Sequence, residues 1–226
     1  MWCITKDFKS TQSLGRLVGS RLVSLPLFSF EANDYPAIKK KYDVVIVTSQ
    51  HVASFVKEWP LAASWIAVGP STAKTLSSQN IEAQLPKDFS IQGIASHFKH
   101  FLKGQSLLIL TGTPIPHDYN VIFSMCHGVN VCCVYQRIKR DVLSLNEPMF
   151  HIKGWVITSL AAAKYLVELH SKYQYHFQKD ATIIVCSDPC LLWLNQNGYM
   201  NVYRAKSPLL EDIAQKIREI KTYEIL

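Results

Sequence analysis

The stretch VVIVTSQHVASFV, residues 44–56, decides the fold, because its hydrophobic period changes in mid-course. Val44 to Val47 are consecutive apolar residues, all β-branched, as in a strand buried on both faces. Beyond Thr48 and Ser49, Val52, Phe55 and Val56 recur at helical spacing. The segment GWVITSLAAAKYLVEL, residues 154–169, has the same plan and again places Thr-Ser at the end of the strand. The echo continues downstream, where IAVGPSTAKTLSSQNIEAQLPKDFSIQGIASHF from Ile66 is matched by IIVCSDPCLLWLNQNGYMNVYRAKSPLLEDIAQKI from Ile183. Strand, Thr-Ser, helix, strand, small-residue turn, helix therefore occurs twice. A repeat unit of roughly a hundred residues is the size of a domain.

Working outward, strands are expected at Trp2 to Thr5, Val44 to Thr48, Trp65 to Val68, Ser106 to Leu110, Trp155 to Thr158 and Thr182 to Cys186. Amphipathic stretches lie between them, with Ala73, Leu76, Ile94, Phe98 and Phe101 on core faces. The alternation defines an α/β protein of two similar three-layer lobes with mainly parallel sheets. Leu25 to Phe30 and Val129 to Tyr135 read as strands without a following helix, and they suit pairing with each other.

Composition narrows the function. The chain has 226 residues, 48% apolar and 18% charged, which suits a globular fold. At this size roughly 70% of the unfolded surface can be removed from water, so the core needs no metal or disulfide. The net charge of +7 favours an anionic ligand. Nucleic acid is not expected, because only Lys39, Lys40 and Lys41 cluster and no aromatic stacking residues accompany them. The six cysteines, at 3, 126, 132, 133, 186 and 190, have no disulfide framework and no signal peptide ahead of them, so a reduced cytoplasmic setting is expected. Cys126, His127, Cys132 and Cys133 lack zinc-ligand spacing, and no metal site is expected. No apolar run reaches the roughly 20 residues that span a bilayer.

In parallel α/β sheets, ligands meet the carboxyl ends of the strands and the free N–H groups of the helices that follow. Thr48, Ser49 and Gln50, and Thr158 and Ser159, stand there with donors suited to carboxylates or phosphates. A helix N-cap is the commoner role for any one such motif, but its duplication argues for a ligand. Gly69, Pro70, Ser71 and Thr72 form a second strand-to-helix turn open to an anion. No nucleoside triphosphate loop, dinucleotide fingerprint, nucleophile elbow or carboxylate pair is present. Tyr135, followed by Gln136 and Arg137, is the phenol of most interest, its competing role being a half-buried strand residue.

Taken in order, Thr-Ser-Gln-His at 48–51, IAVGPSTAKTL at 66–76, VNVCCVYQR at 129–137, VITS at 156–159 and the segment from Ile183 resemble the uroporphyrinogen-III synthase family over essentially the whole chain. The resemblance implies a cofactor-free lyase of haem and sirohaem biosynthesis that cyclises hydroxymethylbilane, inverting the last pyrrole ring (ring D) and losing water. It further implies a discontinuous first lobe, 1–25 with 141–226, a second lobe at 36–128, and linking strands at 26–35 and 129–140 that pair antiparallel. The implied substrate-binding residues are Lys6, Thr48, Ser49, Gln50, Ser71, Thr72, Ala73, Thr158, Ser159 and Ser187, with Tyr135 catalytic. Lys6 replaces a family arginine and lacks its bidentate fork. Thr111 stands where an arginine is frequent, and Ser187-Asp188-Pro189-Cys190-Leu191 replaces a second Gly-x-x-Thr-Ala. The expected protein is a cytoplasmic monomer in transient contact with hydroxymethylbilane synthase. The reading from another class is a non-catalytic two-lobed binding protein for an anionic small molecule.

Overall fold

A computed structural model of the chain describes residues 2–5, 8–38, 41–115, 119–126, 128–140, 152, 154–172 and 180–223. Lys6, Lys39, Lys40 and His127 lie outside the described residues. The chain divides into two compact units, one of residues 1–29 with 139–226, the other of residues 30–138.

The first unit holds β1 (Trp2–Ile4), α1 (Phe8–Val18), β2 (Leu22–Ser24), β8 (Gly154–Ile157), α7 (Leu160–Lys172), β9 (Thr182–Val185), α8 (Asp188–Gln196), β10 (Val202–Arg204) and α9 (Leu210–Tyr223). Its sheet runs β10-β9-β8-β1-β2, and every adjacent pair is parallel. Alternate side chains feed opposite faces, as the pleat requires. Cys3, Trp155, Ile157, Ile183 and Val185 pack with α7 and α8. Trp2, Ile4, Val156 and Ile184 pack with Leu14 of α1 and with Ile213, Ala214 and Ile217 of α9. Burial on both faces is why these strands read as continuous apolar runs.

The second unit holds most of β3 (Phe28–Ala32), then β4 (Tyr42–Val47), α2 (Val52–Phe55), β5 (Ala62–Ala67), α3 (Pro70–Ser77), α4 (Ile91–His97), α5 (Lys99–Leu102), β6 (Ser106–Thr113), α6 (Asn120–Phe123) and β7 (Gly128–Lys139). Its sheet runs β3-β7-β6-β4-β5, with a single parallel bridge from Ile66 to Gln84 beyond β5. Val44, Ile46, Leu107 and Ile109 pack against α4, α5 and α6. Val45, Val47, Leu108 and Leu110 pack against α2 and α3. In both units the sheet is covered on both faces, giving three layers.

The two units share one topology entered at different points. From β8 the first runs β8-α7-β9-α8-β10-α9, and its remaining β1-α1-β2 come from the N-terminus. From β4 the second runs β4-α2-β5-α3, the Gln84 bridge, α4 and α5, then β6-α6-β7. Matching these elements makes the sheet orders coincide, β10-β9-β8-β1-β2 against Gln84-β5-β4-β6-β7. Strand order reverses between β1 and β8 in one unit and between β6 and β4 in the other, the places where doubly wound sheets open a crevice.

The segments read as linking strands do pair, although the first is strand over Phe28–Ala32 and not over Leu25 to Phe30, Leu25 to Leu27 lying outside it. As one advances from Leu27 to Asn33 its partner retreats from Arg140 to Val134, with N–H to O distances of 3.0 and 3.1 Å, so the pair is antiparallel. β7 also lies parallel to β6 along its length, which makes both strands part of a five-stranded sheet. The core face expected of Phe101 is not fully buried, since the residue is 40% exposed while Ile94 and Phe98 are enclosed. β2 and β10, three residues each at the sheet edges, had no distinct sequence signal.

Candidate active site

The reversal point of the 30–138 unit lies between the carboxyl ends of β4 and β6. Thr48, just past β4, gives its N–H to the Leu110 carbonyl at 3.2 Å. Its hydroxyl lies 3.3 Å from that carbonyl and 2.9 Å from the Thr111 hydroxyl on β6. The Thr111 oxygen is in turn 2.8 Å from the Tyr119 phenol. Ser49 lies in the turn before α2, whose N-cap is His51: its hydroxyl accepts the His51 N–H at 3.2 Å and its carbonyl accepts the Val52 N–H. Gln50 is half-buried in that turn.

One strand further on, Gly69 is the extended N-cap of α3 and Pro70 occupies its first turn. No side chain caps this end and no acidic residue stands in the first turn. Gly69 carbonyl accepts the Ala73 N–H, which leaves the N–H groups of Ser71 and Thr72 as the orphan donors that an anion can take. The Ser71 side chain is exposed, Thr72 is buried, and Ala73 packs against the α2–α3 core.

Tyr135 reaches this edge through a β-bulge. Thr111 is opposite Cys133 but Gly112 is opposite Tyr135, so Val134 is the extra residue. The bulge puts Val134 and Tyr135, neighbours in sequence, into the same core cluster. The Tyr135 ring then covers Gly112 so closely that a Cβ there would be 2.2 Å from its Cε2. Phe30, Phe55 and His51 surround the ring, with centroids at 5.5, 5.6 and 6.2 Å, and His51 stacks on Phe30 at 3.8 Å. The residue is 8% exposed, more deeply set than a half-buried strand residue.

The corresponding edge of the first unit is built differently. Thr5, not Thr158, ties its reversal point, giving its N–H and hydroxyl to the Val156 carbonyl at 3.1 and 3.2 Å. Thr158 is half-buried; the Ser159 hydroxyl accepts the Ala162 N–H at 3.2 Å, the N-cap role. Ser187 is the extended N-cap of α8, as Gly69 is of α3, and its hydroxyl donates to Cys190 Sγ at 3.1 Å. Burial pushes the Cys190 thiol pKa up, against the lowering effect of that bond. Asp188 already brings a carboxylate to this helix start and pairs with Arg204 at 3.0 Å. An added anion is therefore less welcome here than at α3.

The structure thus groups Thr48, Ser49, Gln50, Ser71, Thr72, Ala73 and Tyr135 in one unit and Thr158, Ser159 and Ser187 in the other. Sequence reading missed Tyr119, gave Gly112 no role, and saw Thr111 only as a replacement. A glycine under an aromatic ring is invisible without the bulge, and a tyrosine eight residues past a strand-end threonine carries no motif. Among the described residues no group of histidine, cysteine or acidic side chains could hold a metal ion.

Two doubly wound units of matching strand order define a duplicated α/β protein. The profile of the uroporphyrinogen-III synthase HemD family matches residues 10–215. The chain belongs to the uroporphyrinogen-III synthase family. In fold it is similar to a mutant uroporphyrinogen III synthase of Thermus thermophilus, at a TM-score of 0.63 and 13% identity over 98% of both chains. It is also similar to the uroporphyrinogen-III synthetase of Helicobacter pylori, at a TM-score of 0.64 and 18% identity over 97% of this chain and 98% of that one. No curated protein sequence matches it. The family activity is cofactor-independent: hydroxymethylbilane is cyclised to uroporphyrinogen III, with inversion of ring D and loss of water, in tetrapyrrole biosynthesis.

Proposed function

We propose that the bilane is held and activated at the carboxyl edge of the 30–138 sheet, with Tyr135 as the catalytic phenol. The observation that carries this is the bulge that lays Tyr135 over Gly112, beside the Thr48–Thr111 contact at the point of strand reversal. The substrate bears acetate and propionate groups, and the open start of α3 supplies two backbone N–H donors for one of them. The positive net charge draws such a polyanion in.

Tyr135 donates its proton to the departing hydroxyl of the bilane as the C–O bond breaks, and water leaves. The pyrrole nitrogen's electron pair drives that departure, and the proton released after ring closure returns to the phenolate. Selectivity comes from holding ring D so that its substituted carbon, not the free one, meets the activated methylene. In the first unit Ser159 caps α7 and Ser187 holds the Cys190 thiol, so neither is assigned to the bilane. Cytoplasmic location, a monomeric state and transient transfer of the bilane from hydroxymethylbilane synthase complete the reading; six free thiols suit that compartment.

The test is incubation with freshly made hydroxymethylbilane, oxidation, and separation of the type I and type III isomers. Type III is expected from wild type, with a large loss of rate in Tyr135→Phe. Type I alone, at the uncatalysed rate, overturns the reading.

A further inference from the structure

We infer that Phe30 and His51 are positioning residues for the reaction: stacked on one another, they set the angle at which Tyr135 presents its phenol to the bilane. This rests on Tyr135 being the catalytic phenol. Both act through the Tyr135 ring and take no chemical step.

Among the described residues no hydrogen bond holds the Tyr135 hydroxyl, so ring packing alone aims it. Gly112 floors one side, since a Cβ there would be 2.2 Å from Tyr135 Cε2. Phe55, half-buried on α2, tilts against the ring with centroids 5.6 Å apart. The remaining restraint comes from β3. Its bonds with β7, Arg140 N–H to the Leu27 carbonyl and Asn33 N–H to the Val134 carbonyl, fix a register in which Tyr135 faces Ala32 and lies diagonal to Phe30. Diagonal neighbours on one face of an antiparallel pair stay within reach of aromatic side chains. The methyl of Ala32 directly opposite leaves space that the Phe30 ring crosses. The two rings meet edge to face, with centroids 5.5 Å apart and planes at 78°.

Phe30 is only half-buried, so its pose needs a second support. His51 supplies it: the imidazole stacks on Phe30 at 3.8 Å with planes 21° apart, and lies 6.2 Å from the Tyr135 ring. The His51 backbone is fixed in turn. It has helical dihedrals, φ −67° and ψ −23°, its N–H goes to Ser49 Oγ at 3.2 Å, and Val52 beside it is fully buried. His51 and Phe55 stand four residues apart at the start of α2, so one helical turn brings both rings to Tyr135. Phe30 arrives from β3 and is wedged between imidazole and phenol. Removing the imidazole frees Phe30 to change rotamer and the Tyr135 ring to tilt into the space. The hydroxyl, at the tip of the ring, then moves farther than the ring centre. The loss therefore falls on the chemical step, on kcat more than on KM.

The test measures kcat and KM with freshly prepared hydroxymethylbilane at matched folded concentration. His51→Asn, which keeps a polar side chain but loses the stack, should lower kcat about tenfold to a hundredfold with KM within about twofold of wild type. Phe30→Leu should do the same without touching a polar group. His51→Phe restores a ring and should bring kcat back to within about threefold of wild type. His51→Asn combined with Phe30→Leu should be no slower than the slower single variant, as two residues acting through one stack require. Wild-type kcat in folded His51→Asn or Phe30→Leu, or His51→Phe as slow as His51→Asn, overturns the inference. In a Tyr135→Phe background His51→Asn should add nothing, and a full further loss there also overturns it. A failure of the catalytic reading looks different: Tyr135→Phe alone keeps the wild-type kcat, which withdraws the phenol and with it any reason to aim it.

Discussion

Gly112→Ala puts the catalytic assignment of Tyr135 to its sharpest test, because it moves the phenol without removing it. A Cβ at position 112 would lie 2.2 Å from Tyr135 Cε2, 2.3 Å from Cζ and 2.7 Å from Cδ2. Carbon atoms settle at about 3.5–4.0 Å, so the ring must shift by more than about 1 Å. It has little freedom to do so, with Phe30, Phe55 and His51 around it. Overpacking of this kind costs about 1–3 kcal/mol, which leaves a folded protein at moderate temperature. A catalytic group misplaced by about 1 Å loses on the order of a hundredfold in rate. Tyr135→Phe keeps the ring on Gly112 and should keep the thermal midpoint, yet lose about a hundredfold to ten-thousandfold in rate. The assay is single-turnover formation of uroporphyrinogen III at matched folded concentration. Gly112→Ala with Tyr135→Phe should be no slower than Tyr135→Phe alone, since displacement of an absent hydroxyl has no further effect. Full activity in folded Gly112→Ala, or in Tyr135→Phe, removes the phenol from the chemistry and leaves the family assignment in place.

Ser159→Ala should cost about 1 kcal/mol in denaturant unfolding, through loss of the α7 cap, while KM stays unchanged; a large rise in KM would restore Ser159 as a substrate ligand. Tyr199→Phe should be neutral or stabilising at pH 7, because the buried phenol oxygen has no hydrogen-bond partner among the described residues. Burial raises the Tyr199 pKa from 10.0 to about 12 in the folded protein, so its contribution is intact below about pH 10 and is lost as pH rises towards 12. Unfolding curves of Tyr199→Phe should therefore fall less steeply than wild type across that window, and parallel curves would refute the shift. Gly93→Ala should destabilise by about 1–3 kcal/mol or more, since its Cβ would lie 1.8 Å from the Asp88 carbonyl oxygen in the turn that leads to the Ser90 cap; an unchanged midpoint would show that the turn yields.

The sequence made the layers legible because burial on both faces leaves a strong trace. Val44 to Val47 and Leu107 to Leu110 are apolar at every position, with alternate side chains serving different clusters. Edge strands leave less trace. The three residues of β2 and of β10 are only partly buried or exposed, so neither forms an uninterrupted apolar run with a clear boundary. The site was legible as a set of strand ends, which topology fixes, and illegible where one hydrogen bond decides. Ser159, Thr48 and Ser187 look alike as hydroxyls after strands. They part only in space: Ser159 holds a helix end, Ser187 holds a buried thiol, and Thr48 stands before two further hydroxyls. The bulge that turns Tyr135 towards Gly112 comes from pairing between strands and has no mark in either strand alone.

The internal repeat aligns Thr48 with Thr158, both at the end of equivalent strands, and suggests equal roles. The hydrogen bonds argue otherwise. In the 30–138 unit the threonine that ties the reversal point follows β4 and bonds to β6. In the other unit it is Thr5, which follows β1, the counterpart of β6, and bonds to β8, the counterpart of β4. The tie has changed strands, so Thr111 is free to join Thr48 to Tyr119. The second strand-to-helix turn diverges in the same sense: α3 begins without an acidic residue or a side-chain cap, while α8 begins with Asp188 held by Arg204. Duplication supplied two similar edges, and the change in charge at one helix start is enough to give them different affinities for a carboxylate. The edge that keeps an uncovered helix start and a phenol over glycine is therefore the one we propose to take the substrate's charge.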